Sequence, residues 1–208
     1  RRLSAYFVAD LSSTQTRQEL AGLRDEQVQL WKELHENSYQ STPTDFDPTF
    51  NTIGWDDNYT GAPLPPEDMK EYVRYTVERV RSLGPGRVLE IGCGTGLILF
   101  PLVPHCRSYT GMDLSRVAID QLQELQARAD LQAGTTGLAD AVLLQGSAHD
   151  LSGFAPASFD TVILPSVVQY FPGIQYFTQL VGALLQVLHE GGALFVGDVR
   201  SACLLEAF

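Results

Sequence analysis

Residues 88–97 read VLEIGCGTGL, and this stretch carries most of the chain's legible chemistry. Gly92, Gly94 and Gly96 alternate after an apolar run, so the main chain can approach a ligand where a Cβ would stand in the way. A dinucleotide-binding turn needs G-x-G-x-x-G, and Leu97 occupies the place of its third glycine. Glu90, two residues ahead of Gly92, would face any phosphate resting there. Two like charges about 5 Å apart repel by roughly 3 kcal/mol at an effective dielectric near 20. A cationic ligand suits that carboxylate better than a diphosphate does.

S-adenosylmethionine has the required profile: a nucleoside with an ammonium and a sulfonium and no phosphate. Asp113 stands at the expected end of the next strand, where an acid accepts both ribose hydroxyls. Leu114 beside it is expected to bind the cofactor, and the backbone of GSAHD at 146–150, including Ala148, with His149 or Asp150, is expected to frame the adenine. Cys93, with no base placed beside it, reads as a small packing residue and not a nucleophile.

Elements that alternate in type must position these residues. Residues 1–10 (RRLSAYFVAD) read as a short strand and LSSTQTRQ as a polar linker. Leu20, Leu23, Leu30 or Trp31, and Leu34 recur at helical spacing. Residues 38–66 lack periodicity and are expected to form a lid or binding loop. Pro66, Glu67 and Asp68 open a helix with Met69, Tyr72, Val73, Thr76 and Val80 inward, and Gly84 ends it. Strands follow at 87–91, 108–113, 141–145, 159–164 and 193–197. Between them lie helices over 96–103, from Ser115 as cap with Ala118, Leu122, Leu125 and Ala129 inward, and from Ile174 to Leu188 with Gly191 and Gly192 closing it. Such alternation implies right-handed β-α-β crossovers and a Rossmann-like α/β fold with a mostly parallel sheet, its ligand beyond the carboxyl ends of the strands.

The 208 residues suit one domain and a flanking segment. Residues 1–10, 11–65 and 66–208 divide as an opening strand, a linker, helix and lid, and a cofactor-binding core that is expected to be truncated, since the chain starts without Met and stops inside an apolar run. With 44% hydrophobic residues the chain can bury a core. A net charge of −11 argues against a nucleic-acid partner, and no apolar run is long enough to span a membrane. The three cysteines, Cys93, Cys106 and Cys203, give neither a disulfide framework nor metal-ligand spacing, which fits a reducing, cytoplasmic setting.

VLEIGCGTGLILF, FDTVILPSVVQYFP (159–172), GGALFVGDVRSACLLEAF (191–208) and the upstream DPTFNTIGWDDNYTGAPLPPEDM (47–69) resemble the S-adenosylmethionine-dependent methyltransferase domains embedded in nonribosomal peptide synthetases. RRLSAYFVAD resembles the eighth core motif of adenylation domains, where such domains are inserted. The resemblance implies a class I methyltransferase fold and further C-terminal strands. It also implies methylation of the α-amine of an aminoacyl group on a phosphopantetheinyl carrier protein, with the adenylation domain as neighbour. Pro165, expected at the cofactor, stands where that family usually has Asn, and keeps its carbonyl but supplies neither a side-chain donor nor an N–H.

An α-amine must be neutral to attack, through desolvation or through a base. Ser166, Gln169, Tyr170, Asp198 and Arg200 are expected to orient the acceptor, and Tyr39 and Tyr59 to close over the cofactor, where aromatic faces favour a sulfonium. Tyr170, Asp198 and His149 are the candidates for proton transfer. An O- or C-methyltransferase and an inactive cofactor-binding insert, the latter on account of Pro165, are the competing readings.

Overall fold

The computed structural model describes residues 14–40, 47–57, 59–128 and 137–199. The strand read at 1–10, Cys203, Ala129 and Arg200 lie outside the described residues. Five strands, β1 Arg87–Ile91, β2 Ser108–Asp113, β3 Val142–Gln145, β4 Phe159–Leu164 and β5 Leu188–Val196, form one sheet in the order β3-β2-β1-β4-β5, every neighbouring pair parallel. The chain steps outward from β1 to β3 and then returns to the other side of β1 as β4. The switch point therefore falls at the carboxyl ends of β1 and β4, where the crossovers diverge and leave a crevice.

Alternation along β1 shows how both faces are covered. Val88 packs with Met69, Val73 and Val80 of helix α2 (Pro66–Ser82) and with Ile119 and Leu122 of helix α4 (Arg116–Gln126). Leu89 and Ile91 pack on the other face with Leu180 and Leu184 of helix α5 (Ile174–Val187). Such double coverage is why the strands read as nearly continuous apolar runs. Ser115 caps α4 as expected, its hydroxyl accepting from the Ala118 N–H. At the opposite end of the sheet, Asp160 accepts from the Arg87 N–H at 2.9 Å and pairs with its guanidinium at 2.7 Å, which fixes the register of β1 against β4.

Several expectations need correction. Helix α1 (Thr14–Gln40) begins inside the supposed linker and runs past residue 38. Its Leu23, Leu30 and Leu34 are exposed, because the face turned inward carries Val28, Trp31, His35 and Tyr39 instead. Helix α3 is only Leu99–Leu102, passing into a 3₁₀ turn over Val103–His105, since Pro104 lacks the donor an α-helix would use. Ala141 is a buried turn residue ahead of β3, and Ile174 and Leu185 of α5 are exposed. Gly191 and Gly192 do not close α5; they lie in β5, which starts at Leu188 opposite Phe159. They serve a register shift there, where a Cβ on Gly192 would stand 2.9 Å from the Asp160 carbonyl oxygen.

Candidate active site

The glycine turn leaves β1 and folds back on β2. The N–H groups of Gly92 and Cys93 both donate to the Met112 carbonyl, at 2.8 and 3.2 Å, and that of Gly94 donates to Asp113 Oδ2 at 2.8 Å. Three consecutive amides are thus spent on β2, and the helix that follows has four residues. A phosphate cradle uses free glycine-turn amides and a helix dipole, whereas here the amides of Gly92, Cys93 and Gly94 are taken and the helix is a single short turn. What the turn presents is bare main chain. Gly94 has φ 49°, and a Cβ there would come within 3.2 Å of the Tyr39 hydroxyl. Gly96 has another job: its Cβ would meet Phe100 at 2.7 Å and Leu122 at 3.0 Å, so it is a packing glycine and does not line the crevice.

Asp113 holds the turn and the start of α4 at once, Oδ1 accepting from the Ser115 N–H at 2.8 Å. Each carboxylate oxygen keeps a lone pair for a diol. Burial pushes its pKa up against these amides and His35, which pull it down. Glu90 is 1% exposed and lies on the face shared with α2. The Tyr109 hydroxyl donates to it at 2.6 Å, yet burial wins and carries its pKa up to about 8, with Asp113 adding repulsion. A neutral carboxyl that a cation could ionise thus sits directly behind the glycine turn.

The crevice encloses about 530 Å³, within the range of small-molecule sites. Glu90, Gly92, Gly94, Asp113, Leu114, Ala148, Pro165, Ser166, Gln169, Tyr170, Asp198 and Tyr39 all line it, so most of the expected residues do converge. Its roof is a stripe of α1. Trp31, His35 and Tyr39 recur every four residues, and Tyr170 meets Trp31 at 4.7 Å and His35 at 5.0 Å between ring centroids. Sequence reasoning missed Trp31 as a site residue and missed His35 altogether; their spacing was the available signal. Desolvation lowers the His35 pKa, against the attraction of Asp113, and favours the neutral ring. The roof is pinned to α4 by Gln121 Nε2 donating to the Tyr39 carbonyl and by the Arg116 N–H donating to Glu36, both at 3.0 Å. Thr95 ties residues 47–64 to the turn through the Asn51 carbonyl at 2.6 Å.

Besides Gly96, the expected residues Tyr59 and His149 do not reach the crevice. Tyr59 is 71% exposed at the tip of a small turn, because Asp57 accepts from the Tyr59 and Thr60 N–H groups and the Asp56–Pro63 bridge holds the tip away. His149 does not line it either. Its ring stands edge-on to Tyr176 at 3.8 Å, with Nε2 buried and lacking a hydrogen-bond partner, and burial lowers its pKa. Asp150, exposed, accepts from the Ser152 hydroxyl instead of framing a base. Tyr72, Trp55 and Tyr176, which the sequence reading did not assign to the site, do line it.

A methyltransferase-domain family model matches residues 89–196, from β1 to the end of β5. The chain belongs to the methyltransferase domain family. It is an S-adenosylmethionine-dependent methyltransferase domain of the Rossmann-like class I fold. Chondramide synthase of Chondromyces crocatus is 42% identical over 90% of this chain, and the beauvericin nonribosomal cyclodepsipeptide synthetase of Beauveria bassiana is 36% identical over 88% of it. The chain spans 5% and 6% of the length of those two curated relatives. Among solved structures, the DhpI-SAM-HEP complex aligns with TM-score 0.57 at 18% identity, over 88% of this chain and 70% of that one, a likeness of fold. No helix among the described residues is long and apolar enough to cross a membrane.

Proposed function

We propose that this domain methylates the α-amine of an aminoacyl group tethered to a carrier protein, within a cytoplasmic nonribosomal peptide synthetase. The observation that supports it most directly is that most of the chain, 90% and 88% of it, matches only 5% and 6% of the length of two nonribosomal-type synthetases. On this reading residues 66–208 are the core, 11–65 its roof and entry, and 1–10 the end of an adenylation-domain segment.

When bound, S-adenosylmethionine supplies an electrophilic methyl group. The fit of the residues is physical: the spent amides disfavour a diphosphate, Gly94 leaves a space that a side chain would fill, and Glu90 gains from a cation. Asp113 would accept the ribose hydroxyls. Leu114 and Ala148 would flank the adenine. Gly92, Gly94 and Tyr39 would enclose the methionyl portion, with Glu90 behind its ammonium. Pro165 contributes only its carbonyl and shape. The acceptor would meet Ser166, Gln169, Tyr170 and Asp198 from the other half of the crevice. The aromatic roof excludes water from an amine there and so lowers its pKa toward the reactive neutral form.

The test is transfer to an aminoacyl group loaded on its carrier, compared with the free amino acid and with hydroxyl-bearing acceptors, the methyl being located by mass spectrometry. Methyl on the α-nitrogen of the carrier-bound substrate is the expected result. Preference for a free acceptor, or methyl on oxygen or carbon, would overturn the proposal.

A further inference from the structure

The polar groups at the tips of β4 and β5 hold an unbalanced set of protons. Gln169 gives both amide protons to Ser166, to its main-chain oxygen and to Oγ, each at 2.9 Å. Ser166 gives its one hydroxyl proton to Asp198 Oδ2 at 2.7 Å. What is left over in the crevice wall is acceptor. Gln169 Oε1 is buried without a hydrogen-bond partner, and Asp198 Oδ1 takes no hydrogen bond from the described residues. The Tyr72 hydroxyl is a donor in the same wall, buried without a hydrogen-bond partner among the described residues, close to Ser166 and Thr76 and within the field of Asp198.

The backbone is strained at the same place. Ser166 has φ 54° and Asp198 φ 53°, and their side chains are bonded to each other. A left-handed conformation is costly for a non-glycine residue, and such strain concentrates where a site needs a side chain aimed. Leaving a buried polar group unpaired is itself costly, so the orphaned Gln169 Oε1 and Tyr72 hydroxyl in one wall of a ligand crevice, beside the exposed Asp198 carboxylate, ask for a ligand that completes them.

We infer that Gln169 Oε1, Asp198 Oδ1 and the Tyr72 hydroxyl form one subsite that reads an α-amino carbonyl. Two N–H groups of a primary amine donate to the two oxygens, and the neighbouring carbonyl oxygen accepts from Tyr72. This rests on the function proposed above and deepens it, because it names the atoms that choose nitrogen. An α-hydroxyl brings one proton where two acceptors wait, and leaves one of them unpaired. Sites built around such a hydrogen bond reject the analogue lacking it, whereas a merely apolar pocket discriminates weakly. Tyr72 acts here as a substrate-binding residue.

The measurement is binding, on the full chain with S-adenosylhomocysteine present, of alanyl- and lactyl-N-acetylcysteamine thioesters. Their methyl side chain avoids rejection on grounds of size. The wild type should bind the alanyl thioester roughly tenfold or more tightly than the lactyl one. Asp198→Asn, which tolerates positive φ and replaces an acceptor by a donor, should erase that preference. Tyr72→Phe should weaken both thioesters about equally, and Gln169→Met should weaken the alanyl one more. All three should keep S-adenosylhomocysteine affinity within about twofold, which separates loss of the subsite from loss of the fold; if Gln169→Met fails that control, the two conservative variants decide. Equal wild-type binding of the two thioesters, or an unchanged preference in Asp198→Asn, overturns the subsite and leaves the methyltransferase reading intact. Failure of the wild type to bind either thioester overturns the proposed acceptor itself, and the subsite with it.

Discussion

Glu90 is the residue whose sequence context and structural setting say different things. In the sequence it is a carboxylate that repels phosphate; in the structure it is a buried acid with a pKa near 8, bonded to Tyr109. The charge a cofactor ammonium needs is therefore made on binding, by release of a proton. Affinity for S-adenosylhomocysteine should rise between pH 6 and 8, by about tenfold per unit at most, with a proton released into the buffer. Calorimetry in buffers of different ionisation enthalpy reads this directly, and Glu90→Gln should abolish both the slope and the release. The glycines separate by role in the same way. Gly94→Val should lower S-adenosylhomocysteine affinity by roughly 100-fold or more while changing urea stability little beyond the roughly 1–2 kcal/mol of a left-handed side chain. Gly96→Ala places a methyl against Phe100 and Leu122 at a φ of 88° and should destabilise the fold by about 1–3 kcal/mol of overpacking on top of the same left-handed cost. A loss of S-adenosylhomocysteine affinity in folded Gly96→Ala as large as that in Gly94→Val would refute the division.

Helix α1 shows what is gained when an element is read by the face it turns inward. Leucine spacing made it amphipathic, but Leu23, Leu30 and Leu34 are exposed, and its aromatic and imidazole side chains roof the crevice. Its described links to α4 are few and partly exposed, chiefly the Gln121 and Glu36 hydrogen bonds. An element so attached opens at less cost than the sheet beneath it. Hydrogen exchange should show α1 amides near Trp31–Tyr39 slowing strongly when S-adenosylhomocysteine is added, with β1 and β4 hardly changed. No added protection in α1 would mean that it is not the roof of the occupied site. Gln121→Ala should speed that exchange without altering the stability of the sheet by more than about 1 kcal/mol.

At the scale of the whole molecule, two ends of the sheet respond oppositely to pH. Arg87 holds the Asp160 carboxyl down to about 2, so its contribution is present above the ordinary aspartate range and fades as pH falls through 2. Glu90, raised to about 8, keeps its proton in the fold while the unfolded chain loses it above about 4.5, so stability declines as pH rises from there to 8. Asp113, also raised, adds to that decline. Urea unfolding should therefore be most resisted near pH 4–5 as far as these groups decide it, and Glu90→Gln should flatten the alkaline limb. A monotonic rise in stability from pH 4 to 8 would contradict the buried state of both acids. Strand bounds at 87–91, 108–113 and 159–164, the α/β class and the ligand-bearing strand ends were legible because apolar runs, glycine turns and caps are local patterns that report local backbone geometry. The inward face of α1, the outward position of Tyr59, the burial of Glu90, the withdrawal of His149 and the meeting of Tyr72 with Asp198 were not. Each depends on which element happens to lie opposite, as when Tyr72 and Asp198 come to line one crevice without a direct hydrogen bond, and such long-range placement leaves no mark in the spacing of either partner.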